Sequence, residues 1–285
     1  MKYTYIDKTE DLDLFINKLD NLKEIAVDFE GEFNLHIYGE HLCLIQVFDG
    51  EEYYLIDAKS KNISKQDLIR FLQHPVEKIW FDVQSDNSLV NKIFNTQIAN
   101  SYDIRAVALA LGFINNLTLL TETYLNVQPK VENKKKLQKT NWLLRPLSKD
   151  QIEYALSDVE NLIKLKYILL EEVKEKGLEQ SVLVNLEKTR QISKSKPGWM
   201  KLGNWRKMSK AQKDAMREYF IARDSIAARF NSPAYLVLDK HKLIQIANET
   251  PATIEEVYAL AAPFNPRYEK LLKEALAKAF SNLKN

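Results

Sequence analysis

Along the first half of the chain, short apolar runs alternate with segments whose apolar residues recur every three or four positions, which predicts strands and helices in turn. "IAVDFE" at 25–30 reads as a strand, and "CLIQVFDGEEYYLIDA" at 43–58 as two strands around an Asp49-Gly50 turn. "KQDLIRFLQ" at 65–73 reads as a helix, and "KIWFDV" at 78–83 as another strand. Leu89, Val90, Ile93 and Phe94 then fall at helical spacing behind Ser85 as a cap. "IANSYDIRAVALALG" gives a short strand, an Asp103 cap and a helix closed by Gly112. After Pro146, Ser148 and Gln151 form a capping box, and the stripe Ile152, Ala155, Leu156, Val159, Leu162, Ile163 predicts one helix running to Gly177. Early strands joined by tight turns, followed by strands separated by helices, make a mixed sheet flanked by helices. The fold class is α/β.

"QISKSKPGWMKLGN" at 191–204 breaks the helical pattern, and beyond it the chain reads as four or five short helices ending in "NPRYEKLLKEALAKAF". This predicts a domain over 1–190, a linker over 191–204 and a small all-α domain over 205–285. "QPKVENKKKLQKTN" at 128–141 is polar, basic and aperiodic: a mobile loop near the site, or a solvated loop with no role. At 45% hydrophobic and 28% charged residues, the composition excludes a disordered or fibrous chain. Net charge is only +2, but residues 201–285 carry +6 and the remainder −4. An acidic body with a basic tail fits a carboxylate centre joined to a module that attracts a polyanion, and equally a solvated helical surface. The single cysteine, Cys43, allows no intrachain disulfide, and no leader or membrane-length apolar run is present, so a cytoplasmic protein with no membrane partner is expected. A monomer is favoured, although no sequence feature decides the oligomeric state.

The candidate chemistry lies in the acids. Asp28 and Glu30 are two apart at the end of an apolar strand, so both point to one face while Val27 and Phe29 point to the other. Asp86 follows the strand "KIWFDV" in the first turn of a helix, at the edge where α/β folds build sites. Tyr154 and Asp158, four apart, share one helix face. Each has a plain structural reading alone: a solvated strand end, a helix N-terminal acid, a core aromatic. Together, four converging carboxylates need a cation, since two like charges about 4 Å apart repel by roughly 4 kcal/mol at an effective dielectric of 20. Oxygen-only ligands select Mg²⁺ or Mn²⁺ over zinc. Asp57 and Asp103 also close apolar strands, but read as a strand-terminal acid and a helix cap, and His36 reads as a surface residue.

The order Asp28-x-Glu30, Asp86 and Tyr154-x3-Asp158 resembles the DEDDy 3′-5′ exonucleases, and "LIQVFDG", "YLIDA", "WLLRPLS" and "EYALSDVENL" narrow the resemblance to ribonuclease D. The tail, through "REYFIARDSIAARFNSPAYLVLDKHKLIQIANETPATIEEV", resembles the helicase-and-RNase-D C-terminal (HRDC) domain. The resemblance implies a ribonuclease H-like fold and hydrolysis from a 3′ hydroxyl end of RNA, such as transfer RNA precursors, releasing nucleoside 5′-monophosphates. It implies two Mg²⁺ or Mn²⁺ ions, with Asp28 bridging both, Glu30 and Asp158 completing the tighter site and Asp86 holding the second. Tyr154 would position the attacking water, and Gln46, Trp142 and Arg145 match positions near the substrate, where they either touch nucleic acid or shape the fold. Phe81 and Asn141 depart from the His and Asp common in relatives, which bears on substrate preference. A single-stranded DNA exonuclease and an inactive RNA-binding protein are the alternatives.

Overall fold

A computed structural model describes residues 2–128, 134–191 and 196–284. The chain divides into two units, Met1–Glu32 with His41–Ser193, and Phe33–Glu40 with Lys194–Asn285.

The first unit is built on six strands, β1 (Tyr3–Ile6), β2 (Glu24–Phe33), β3 (Glu40–Phe48), β4 (Tyr53–Ile56), β5 (Glu77–Trp80) and β6 (Ser101–Asp103), in the order β1-β4-β3-β2-β5-β6. The sheet is mixed: β1–β4, β2–β5 and β5–β6 are parallel and β3–β4 is antiparallel. Nine helices belong to it among the described residues: α1 (Thr9–Leu19), α2 (Lys65–Gln73), α3 (Gln84–Phe94), α4 (Ile104–Ala110), α5 (Leu117–Leu125), α6 (Lys134–Leu137), α7 (Lys149–Val159), α8 (Leu162–Glu175) and α9 (Glu179–Arg190).

Both sheet faces are covered, so β2 and β3 bury residues on each side. Val27, Phe29, Ile45 and Val47 join one apolar cluster with Leu12 and Phe15 of α1 and Phe71 of α2, and Phe29 meets Trp80 edge-on at 4.8 Å. Ala26 packs with Ile104 and Leu165, while Leu44 and Leu55 pack with Tyr154 and Leu156 of α7. The Asp49-Gly50 turn forms as expected. Gly50 takes φ +102°, and the Asp49 carboxylate accepts from the amides of Glu51 and Glu52 at 2.9 and 2.7 Å.

Three local readings are corrected. The helix expected from Ser148 to Gly177 is two, α7 and α8, parted at Glu160-Asn161. The apolar period runs straight across this turn, because a break of two residues barely changes which side chains face the core. Ser85 is not the cap of α3. The helix starts at Gln84, and the Asp103 carboxylate accepts from the amides of Asp82 and Val83 at 2.9 and 3.2 Å while also capping α4 through the Arg105 amide at 2.9 Å. Strand β1 was not expected. It is four residues long and forms only by pairing with β4, fifty residues along the chain, in the register Tyr3↔Tyr53.

The second unit holds α10 (Lys210–Arg229), α11 (Ala234–Val237), α12 (Lys240–Glu249), α13 (Ile254–Ala261) and α14 (Glu269–Lys284) around Met216, Tyr219, Leu243, Val257, Tyr268 and Leu276. Ser209 with Gln212 and Thr253 with Glu256 are capping boxes, so each helix start is written locally.

Candidate metal centre and active site

Asp28 and Glu30 lie on β2, on the sheet face that α7 covers. Asp158 comes down from the last turn of α7, and one carboxylate oxygen from each of the three lies within 4.8 Å of the others. Tyr154 stands one helical turn earlier, 3% exposed. Asp86, in the first turn of α3, lies outside this triad, yet its charge reaches both Asp28 and Glu30. The structure thus brings Asp28, Glu30, Asp158 and Tyr154 together and leaves Asp86 at the margin.

Gln46 is fully buried on β3, the neighbour of β2. Its Nε2 donates to Asp28 Oδ2 at 2.9 Å and to Glu30 Oε1 at 3.4 Å. It therefore orients the two carboxylates and does not present itself to a substrate. Trp142, 1% exposed, packs against the Tyr154 ring with centroids 6.0 Å apart. Arg145 spends all five of its N–H groups internally: Nε and Nη2 grip Asp57 at 2.8 and 2.6 Å, and Nη1 and Nη2 also donate to the carbonyls of Trp142, Leu144 and Cys43. Of the two readings left open for these residues, the contacts seen are those that shape the site: Gln46 holds the acids, Trp142 packs on Tyr154 and Arg145 grips Asp57. Asp57, read as a strand-terminal acid, is the buried partner that binds Arg145.

Electrostatics follow from this crowding. Burial, then the charges of Asp158 and Asp86, raise the Asp28 carboxyl well above its ordinary range; the Phe29 amide and Gln46 pull it back only partly. Burial, then Asp28 and Asp158, do the same to Glu30. Asp86 is pushed up to about 8, first by burial and then by Asp82. The Tyr154 phenol is raised by burial and then by Asp158, Glu30 and Asp28, so it stays protonated at neutral pH.

These three acids bind more protons folded than unfolded, so the metal-free protein loses stability as pH rises through the folded values, over a window from 3.8 to about 8 for Asp86. Melting midpoints in EDTA are expected to fall between pH 5 and pH 8.5, and saturating Mg²⁺ should flatten that slope. A midpoint that climbs steadily with pH in EDTA would contradict the arrangement.

Residues 3–174 match the family model described as 3′-5′ exonuclease. The chain belongs to that family. The exonuclease chain is 26% identical to human exosome complex component 10 over 289 residues, covering 95% of this chain and 32% of that protein. It is 27% identical to ribonuclease D of Desulfotalea psychrophila over 285 residues, covering 97% of this chain and 75% of the relative. It thus spans about a third of the human relative and three quarters of the bacterial one. Its fold matches the crystal structure of Escherichia coli RNase D at a TM-score of 0.73 and 23% identity, over 98% of this chain and 75% of that one. The first unit is accordingly a ribonuclease H-like exonuclease fold. Members of the family depend on divalent metal, and the triad fits such an ion: three hard oxygen donors, mutually repelling and within ligand range of one another. Among the described residues no helix is long and apolar enough to cross a membrane.

A residue at the site that sequence reasoning did not single out is Lys134. Its Nζ lies 2.9 Å from Asp158 Oδ1 and 5.9 Å from the centroid of the Tyr154 ring. It falls in the basic stretch 128–141, whose nearness to the site was one of two open readings; residues 129–133 lie outside the described residues.

Proposed function

We propose that this protein is a ribonuclease D-like 3′-5′ exoribonuclease that shortens RNA, transfer RNA precursors among the substrates, from a free 3′ hydroxyl and releases nucleoside 5′-monophosphates. The observation that carries the reading is the convergence of Asp28, Glu30 and Asp158 beside Tyr154. The name of the bacterial relative, ribonuclease D, supports RNA as the substrate.

Asp28, Glu30 and Asp158 would hold one Mg²⁺ or Mn²⁺, and Asp86 with Asp28 a second. Bound there, divalent ions lower the pKa of a water nucleophile and neutralise charge at the leaving oxygen. The protein does the remainder. Tyr154, kept neutral, is a hydrogen-bonding group and not a base, and it orients the attacking water. Gln46 fixes the carboxylate rotamers through its bonds to Asp28 and Glu30. Trp142 packs against the tyrosine ring and shields that side of it from water. The helical unit, with its +6 charge over 201–285, would act as an HRDC-like module on the RNA backbone. The protein would work in the cytoplasm.

The test is a 5′-labelled single strand with Mg²⁺, as matched RNA and DNA, with a 3′-phosphorylated RNA beside them. Stepwise shortening of the RNA alone, blocked by the 3′ phosphate, is expected. Equal degradation of the DNA would overturn the RNA assignment, and no shortening of either would overturn the nuclease.

A further inference from the structure

Helix α6 packs alongside α7. Lys134 and Gln138 are four apart, joined by the Gln138 amide donating to the Lys134 carbonyl at 3.0 Å. Tyr154 and Asp158 on α7 are also four apart, and such pairs share a face. Lys134 reaches Asp158 at 2.9 Å. Leu137 anchors the turn in the apolar cluster that holds Trp142 and Tyr154. The Lys134 and Asp158 side chains are only 24% and 13% exposed, so solvent and salt screen the pair less than a surface ion pair.

We propose that Lys134 is a tethered cation that competes with the divalent metal for Asp158 and thereby sets the enzyme's metal affinity. This rests on the metal-site reading above. Ionised as metal binding requires, the three carboxylates carry three negative charges, and the ammonium cancels one of them on the ligand the metal needs. If Asp158 is released from Lys134 about a tenth of the time, the apparent Kd for metal is about tenfold weaker than the intrinsic one. The arm thus keeps the metal exchangeable and the site neutralised between loadings.

The experiment titrates the full chain with Mn²⁺, following free Mn²⁺ by electron paramagnetic resonance, for the wild type, Lys134→Gln, Lys134→Arg, Lys135→Gln and Asp28→Asn. Lys134→Gln is expected to lower the Kd by about tenfold. Lys134→Arg keeps the charge, and Lys135→Gln removes one from an exposed neighbouring position, so both should stay within about twofold of wild type. A Kd for Lys134→Gln equal to or weaker than wild type overturns the proposal, as does equal tightening by Lys135→Gln, which would trace the effect to net charge. If the wild type binds no Mn²⁺, or binds it as well after Asp28→Asn, the metal-site reading itself fails, and this proposal with it.

Discussion

Exchanging Asp28 for asparagine is expected to abolish RNA shortening while making the metal-free protein more stable. Asp28 sits among Glu30, Asp158 and the charge of Asp86, and it is the residue that would serve both proposed ions. Loss of several kcal/mol of transition-state charge stabilisation corresponds to a rate lower by about a thousandfold or more. The same substitution keeps the side-chain volume and removes one of three repelling charges, each pair of which is worth at most about 3 to 4 kcal/mol at such distances. Part of that repulsion is already relieved by proton uptake and by Gln46, so a gain of about 1 kcal/mol is realistic, raising the melting midpoint in EDTA by about 2–4 °C. Activity and melting measured on one preparation check both halves. An inactive variant that is also less stable would place Asp28 in the scaffold, and an active one would remove it from the site.

Arg145→Ala is expected to cost about 3 kcal/mol of stability. It strips Asp57, 5% exposed, of its only cationic partner among the described residues, leaving Tyr5 at 2.8 Å and the Lys59 amide at 2.9 Å as remaining donors. The guanidinium also ties the Cys43 carbonyl of β3 to the loop that leads into α7, and so helps set where Tyr154 and Asp158 arrive. Lysine cannot replace it, because one ammonium does not span a carboxylate and three carbonyls; Lys should recover less than half of the loss. Urea unfolding of the three forms gives the answer. An unchanged unfolding free energy together with a raised KM for RNA would mean that Arg145 serves the substrate after all.

Much of the site was legible in the linear chain because its chemistry is written at fixed short spacings. Two residues apart on a strand and four apart on a helix each force a shared face, so Asp28 with Glu30 and Tyr154 with Asp158 are pairs before any folding is considered. The capping boxes at Ser148, Ser209 and Thr253 are equally local, and all three start helices where their residues stand. What is not local could not be read. Gln46, Trp142 and Arg145 were recognisable as belonging near the site, but whether such a residue faces solvent or a neighbour depends on what packs over it. Only the sheet order that lays β3 against β2 turns Gln46 onto the acids.

The sequence by itself determined the alternating α/β pattern, the Asp28–Glu30 and Tyr154–Asp158 pairs and the helical tail, since period, capping and turn chemistry act within a few residues. Only the tertiary structure decided that three acids lie within ligand range with Asp86 set apart, that Arg145 is spent on Asp57, and that Lys134 lies on Asp158. Those outcomes depend on contacts between segments from 24 to 130 residues apart, whose energies hinge on burial and distance, and neither quantity exists until the chain is folded.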